Sequence, residues 1–281
     1  MPIQFSPLAA ARNTRSGAFS VKAVDLDALC APGSPIAVLD DFRVRGRPFP
    51  PHPHAGFSAV TYAFEDSKSG LRSRDSLGND VIVGPGGIVW TEAGSGVMHE
   101  EQPADPDGEL HGLQIFVNLS AKNKLTPPRM LRLATVDVPE RRSEAGDHVR
   151  VVVGAFGGVS SPLVPAEPFT LLDVKLQREI SLPVKAGHLT LAYVLDGEVS
   201  IGAEGRQETL SAGQALALYG GVGSVIFAST TRAHVVIMGG PEINEPVLSQ
   251  GAFIMNDQAQ IEAAVARYRS GAMGRLEPLR Q

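Results

Sequence analysis

The chain is written in short apolar or alternating runs, nearly all of them closed by a turn signal. Such runs fall at residues 36–39, 58–64, 81–83, 113–117, 149–153, 170–174, 189–195, 198–201, 215–218, 224–227 and 234–238. Between them lie turn formers such as Gly78-Asn79, Gly84-Pro85-Gly86-Gly87, Asp196-Gly197, Glu204-Gly205 and Gly220-Gly221. Period-two alternation puts successive side chains on opposite faces of a strand, and glycine and asparagine supply tight-turn geometry. With 30 glycines and 21 prolines in 281 residues, long helices have little room. An all-β sandwich or barrel is expected. One short C-terminal helix is expected. Asn256 or Asp257 would cap it, Ile261, Ala264, Val265 and Tyr268 would share a face, and Gly271 would end it.

The pattern occurs twice. With Tyr62 aligned to Tyr193, Pro85-Gly86 falls opposite Ala212-Gly213, and the stretch from Gly94 to His99 falls opposite that from Gly221 to Ile226. A repeat of this length implies two similar barrels in tandem. The polar stretch 138–147 marks the join, so the first barrel is expected over 1–138 and the second, with the helix, over 139–281.

Chemistry concentrates in the first copy. His52 and His54 are two apart, as are His99 and Glu101. Residues i and i+2 of a strand share a face, so two strands meeting across a barrel offer three imidazoles and one carboxylate to one ion. Glu100 would point away into solvent. The second copy acts as an internal control. On the alignment above it has Pro183 and Lys185 in place of the first pair, and Ile226 and Ala228 in place of the second. A barrel that folds without these groups shows that the fold does not require them. His52, His54, His99 and Glu101 are therefore read as ligands of one divalent transition metal. Iron is ranked first, with Mn, Ni, Co, Cu and Zn also compatible. Four ligands on one concave face leave positions open for water, dioxygen or substrate. His111 is read as structural or as supporting the site. His148, His188 and His234 are read as isolated, and Trp90 and Phe116 as core or pocket wall.

Composition limits the alternatives. The net charge is -5, and no basic run offsets it, so direct nucleic-acid binding is not expected. No apolar stretch is long enough to span a membrane, and no signal peptide is read, so an intracellular protein is expected, cytoplasmic or, in a eukaryote, nuclear. One cysteine, Cys30, cannot form an internal disulfide and is expected to be at least half-buried.

The site residues also carry a resemblance. His52-Pro53-His54-Ala55-Gly56-Phe57 with Val60-Thr61-Tyr62 resembles the HPHRGFETVTY motif of the pirin family. Arg74 to Asn79 resembles its RDSLGN turn, Val97 to Glu101 its IxHxE element, and Leu110 to Gln114 its LHGLQ element. Near the C-terminus, the stretches from Gly239 to Pro246 and from Gly251 to Asn256 resemble GGxPLNEP and GPFVMN. The resemblance implies a bicupin, two tandem cupin β-barrels, whose first barrel holds one metal, usually iron. By motif position the ligands would be His52, His54, His99 and Glu101. Two positions depart from the family: its arginine after the second histidine is Ala55 here, and its glutamate is Ser58.

The resemblance implies two kinds of activity. One is a quercetinase-like dioxygenase acting on flavonol-like or enolic aromatic substrates with dioxygen. In it Glu101 would serve as the base that accepts the substrate proton. The other is a non-enzymatic, redox-sensitive iron protein acting through a protein partner. The enzyme reading leads.

Overall fold

The structure is a computed structural model and describes residues 1–47 and 49–279. Its architecture is the expected all-β bicupin with one α-helix among the described residues. A long sheet runs through both barrels. In the first it passes through Arg129–Leu133, Ile88–Glu92, Phe57–Ala63, Leu110–Asn118, Ile36–Val44 and Phe19–Val24. Ala9–Ser16 then pairs on one side with Phe19–Val24 and on the other with Gln214–Tyr219 of the second barrel. From there the sheet continues through His188–Asp196, Ala233–Pro241 and Thr170–Leu176. Each barrel is closed by a four-stranded sheet. His52–His54, Val97–Pro103, Leu71–Asp75 and Asp80–Val83 close the first. Glu179–Val184, Gly223–Ala228, Glu198–Ala203 and Arg206–Ser211 close the second.

The two interiors differ. The second barrel is filled with apolar side chains, and Ile3 and Phe5 from the N-terminus add to its core. The repeat is real, but the sequence alignment of its closing sheet slips by one residue. Leu182 pairs with Val225 on the neighbouring strand of the second barrel as His52 pairs with His99 in the first. Leu182, Val184, Val225 and Phe227 are the inward residues, all buried. Pro183, Lys185 and Ile226 point outward and are exposed, and Ala228 is half-buried. For Leu182 and Val184 the cause is a connection one residue longer, 185–187 against 55–56, and for Val225 and Phe227 a turn one residue shorter, 220–222 against 93–96; a one-residue slip in a strand turns every side chain to the other face. Among the described residues, the second barrel still lacks the metal-type ligands of the first.

The C-terminal segment returns to the first barrel. Ala55 forms an isolated bridge with Phe253, and the helix Gln258–Arg269 buries Ile261 and Ala264 against Ala55, Phe253 and Met255. Asp257 caps the helix, its carboxylate accepting from the Gln260 amide at 2.8 Å. The Gly271 amide donates to the Tyr268 carbonyl where the helix ends. Tyr268 does not share the buried face; it is 44% exposed. Cys30 is exposed, contrary to expectation, and sits in a left-handed turn at φ 50°. No described helix is long and apolar enough to cross a membrane.

Candidate metal centre

His52–His54 pairs antiparallel with Val97–Pro103, with His99 directly opposite His52. The sequence thus sets two histidines on one face of a short strand and a third across from them. Their ligand nitrogens all lie within 4.8 Å of one another. The ring centroids are 4.8 Å apart for His52 and His54, and 4.6 Å for His99 with each of the others. His52 Nδ1 faces the Pro50 carbonyl at 3.0 Å, and a carbonyl can only accept, so this nitrogen carries the proton. Its Nε2 is then a free lone pair, 3.1 Å from Nε2 of His99. Burial, reinforced by the charge of neighbouring His52, pushes the His54 imidazole down to about 3. Burial, and then His54 and His52, hold His99 well below the ordinary histidine value. Neutral imidazoles are the form that ligates a metal.

Glu101 lines the same cavity but is not in the tight nitrogen group. Its Oε2 accepts from Thr61 Oγ1 at 2.5 Å, and its Oε1 is shielded from solvent with no partner. Burial pushes this carboxyl up to about 7, and the hydroxyls of Thr61 and Ser73 oppose the shift. Nδ1 of His54 and of His99 are likewise buried without partners. Buried polar atoms are nearly always bonded, so the orphaned Glu101 oxygen beside the three imidazoles marks a place for a ligand or ion. Three imidazoles and one carboxylate, with no sulfur, suit a divalent transition metal. The residues present therefore fit the group that the sequence reading assigns to them.

The cavity measures about 260 Å³. The histidines, Glu101, Gln102, Thr61, Gln114 and Asp40 supply its polar groups, while Phe19, Phe42, Phe49, Val44, Leu71, Leu110 and Phe116 supply apolar walls. Thr61, Gln114 and Asp40 escaped the sequence reading. Thr61 and Gln114 are inward polar residues of mostly apolar strands, a signal that alternation could have exposed.

Other expectations resolve differently. Trp90 is wholly buried core and not part of the cavity wall; Phe116 is wall. Glu100 points away from the cavity, yet it is 3% exposed and bound to Arg74 at 2.8 Å, so it is not solvated. His111 is outside the cavity, between Asp41 at 3.0 Å and Asp66 at 2.7 Å. His234 and His148 are not isolated: they bind Asp173 and Glu140. Ala55 is wholly buried beneath the C-terminal segment, which leaves no room for the longer arginine of the family motif.

Comparison with known proteins agrees with this geometry. The Pirin family model matches residues 17–117 and the Pirin C-terminal cupin domain matches 171–274. A Pseudomonas aeruginosa protein provisionally named quercetin 2,3-dioxygenase is 33% identical over 253 residues, covering 85% of this chain and 86% of that protein. Human pirin is 31% identical over 247 residues, covering 85% of this chain and 83% of its own length. The crystal structure of a quercetin 2,3-dioxygenase from Acinetobacter baumannii superposes with a TM-score of 0.84 at 26% identity, covering 98% of this chain and 99% of that one. Motifs, two-barrel fold and sequence similarity converge, and the chain belongs to the pirin family.

Proposed function

We propose that this chain is a metal-dependent dioxygenase of the quercetin 2,3-dioxygenase type, acting on flavonol-like or other enolic aromatic substrates. His52, His54, His99 and Glu101 hold its single divalent metal, with iron first in rank. The observation that carries the reading is the convergence of three imidazoles and a partnerless carboxylate oxygen in one largely apolar cavity. When bound, such a metal supplies open coordination positions and one-electron chemistry toward dioxygen. The protein supplies the rest. The aromatic walls accept a flat ring system and keep bulk water out. Glu101 takes the proton of the substrate's enolic hydroxyl onto Oε1. Thr61 holds the other oxygen and so fixes the direction in which Oε1 faces.

Elemental analysis of the purified protein, followed by reconstitution and quercetin turnover, tests this. Loss of the flavonol's near-visible absorbance is expected with at least one metal. His52→Ala, His54→Ala or His99→Ala lowers metal content and turnover together, each by tenfold or more, since losing an outer partner of a ligand already costs about 10–100-fold. Absence of turnover with iron, manganese, nickel, cobalt and copper alike would sink the proposal.

A further inference from the structure

Among the described residues, Asp40 is the one ionisable residue of the cavity outside the histidine and glutamate group. It sits on Ile36–Val44 opposite Gln114, and Gln114 sits opposite Thr61. The three residues form a row across adjacent strands, all facing the cavity. At a strand spacing of about 4.8 Å, Asp40 lies roughly 10 Å from Thr61. The near end of the row is satisfied: Thr61 donates to Glu101, and Gln114 donates to the Val60 carbonyl at 3.0 Å. The Asp40 carboxylate makes no hydrogen bond or ion pair among the described residues, whereas Asp41 turns to the opposite face and binds His111. Phe19, Phe42 and Phe49 stand in the same wall. Asp40 is half-buried, and burial alone pushes its carboxyl up to about 6, the mark of a group that the protein partly desolvates.

We infer that Asp40 is a specificity-determining residue whose carboxylate accepts a hydrogen bond from a phenolic hydroxyl at the substrate end remote from the histidines. The inference rests on the dioxygenase reading for the near end of the ligand. It names the class more narrowly, as flat polyphenols roughly 10 Å long with a hydroxyl donor at each end. Aromatic walls take the ring faces between the two polar ends. A charge-assisted bond to a partly desolvated carboxylate is strong, and a ligand without the distal hydroxyl leaves that carboxylate unpaired.

The test compares quercetin, which has distal hydroxyls, with 3-hydroxyflavone, which keeps only the chelating one. Kd values are measured without oxygen by fluorescence quenching, on metal-loaded wild type, Asp40→Ala and the near-isosteric Asp40→Asn. Metal content is checked in each. Asp40→Ala is expected to weaken quercetin about tenfold, to leave 3-hydroxyflavone within about twofold, and to retain its metal; Asp40→Asn falls between. An equal loss for both ligands, or no loss for either, in the variant that stays folded overturns the inference. Selective binding without any turnover would remove the dioxygenase reading and leave this one standing. Binding of neither flavonoid to wild type would remove both.

Discussion

Thr61 sets how firmly Glu101 holds its proton. Burial drives this carboxyl up to about 7, and the Thr61 and Ser73 hydroxyls restrain the rise. Valine matches threonine in shape and lacks the donor. In Thr61→Val the carboxylate loses a hydrogen bond of the charge-assisted kind, about 1.5–3 kcal/mol, and each unit of pKa corresponds to about 1.4 kcal/mol. The proton affinity of Glu101 therefore rises, and the acid limb of the kcat/KM profile for flavonol turnover moves to higher pH by about one to two units. A profile that stays in place, or moves toward acid, would show that Glu101 is not the group that takes up the proton. The histidines follow the same physics with the opposite result. Burial and mutual repulsion lower His54 and His99, so both present lone pairs at neutral pH without help from a base.

The strand that carries His52 and His54 is three residues long and has one β-partner, Val97–Pro103, so other elements must hold it. The C-terminal segment does this. The Ala55 amide donates to Ala252, and the Ile254 amide donates to Ala55. Arg267 of the helix donates to the Ser95 carbonyl at 2.8 Å, and Ser76 donates to Met273 at 2.6 Å. At the centre is Lys124, 1% exposed, whose ammonium donates to Gly56 at 3.0 Å, Asn118 at 2.5 Å and Ile254 at 3.1 Å. Gly56 itself has φ +84°, and an added Cβ would meet the Ile254 carbonyl at 1.9 Å, so the two backbones touch. In Lys124→Met three buried acceptors lose their donor. Destabilisation on the order of 3 kcal/mol in urea unfolding is expected, with lower metal occupancy in the protein that remains folded. Full stability with unchanged metal content would show that the clasp is dispensable. The helix was legible in the sequence because its cap and spacing are local. The barrel it covers was not, because that contact joins residues some 200 positions apart. Likewise the convergence of His52, His54 and His99 was legible from a two-residue period. The partner of Glu101 and the inward residues of the second barrel depend on strand register, which a single turn residue shifts.

The repeat leaves its clearest trace where the barrels meet. Asp41 lies opposite Lys22 in one barrel, and Asp173 lies opposite Arg150 in the other. His111 binds Asp41 as His234 binds Asp173. The tyrosines then cross over: Tyr62 donates to Asp173 at 2.7 Å, and Tyr193 donates to Asp41 at 3.2 Å. Each barrel thus completes the other's buried carboxylate, and a two-fold polar network locks the tandem together. Burial pushes both histidines down, but the bonds and charges of Asp41 and Asp66 on His111, and of Asp173 on His234, leave both raised. Burial pushes Asp41 and Asp173 up, and the same partners, with Lys22 and Tyr193 on one side and Tyr62 and Arg150 on the other, leave both lowered. The sign follows. A raised histidine stabilises fully below its unfolded value of about 6.5 and loses that contribution as pH rises through the folded value. A lowered aspartate stabilises fully above about 4 and loses its contribution as pH falls through the folded value. The network is therefore strongest between about pH 4 and 6.5. Tm should fall as pH rises from 6 to 9, by on the order of 5 °C. The double variant His111→Gln with His234→Gln should begin lower at pH 6 and show a flatter alkaline limb. Arg43, Lys175 and Glu65 also line this junction and remain in both proteins, so they do not account for the difference. An alkaline limb of equal slope in the variant would place the pH sensitivity elsewhere than the paired histidines.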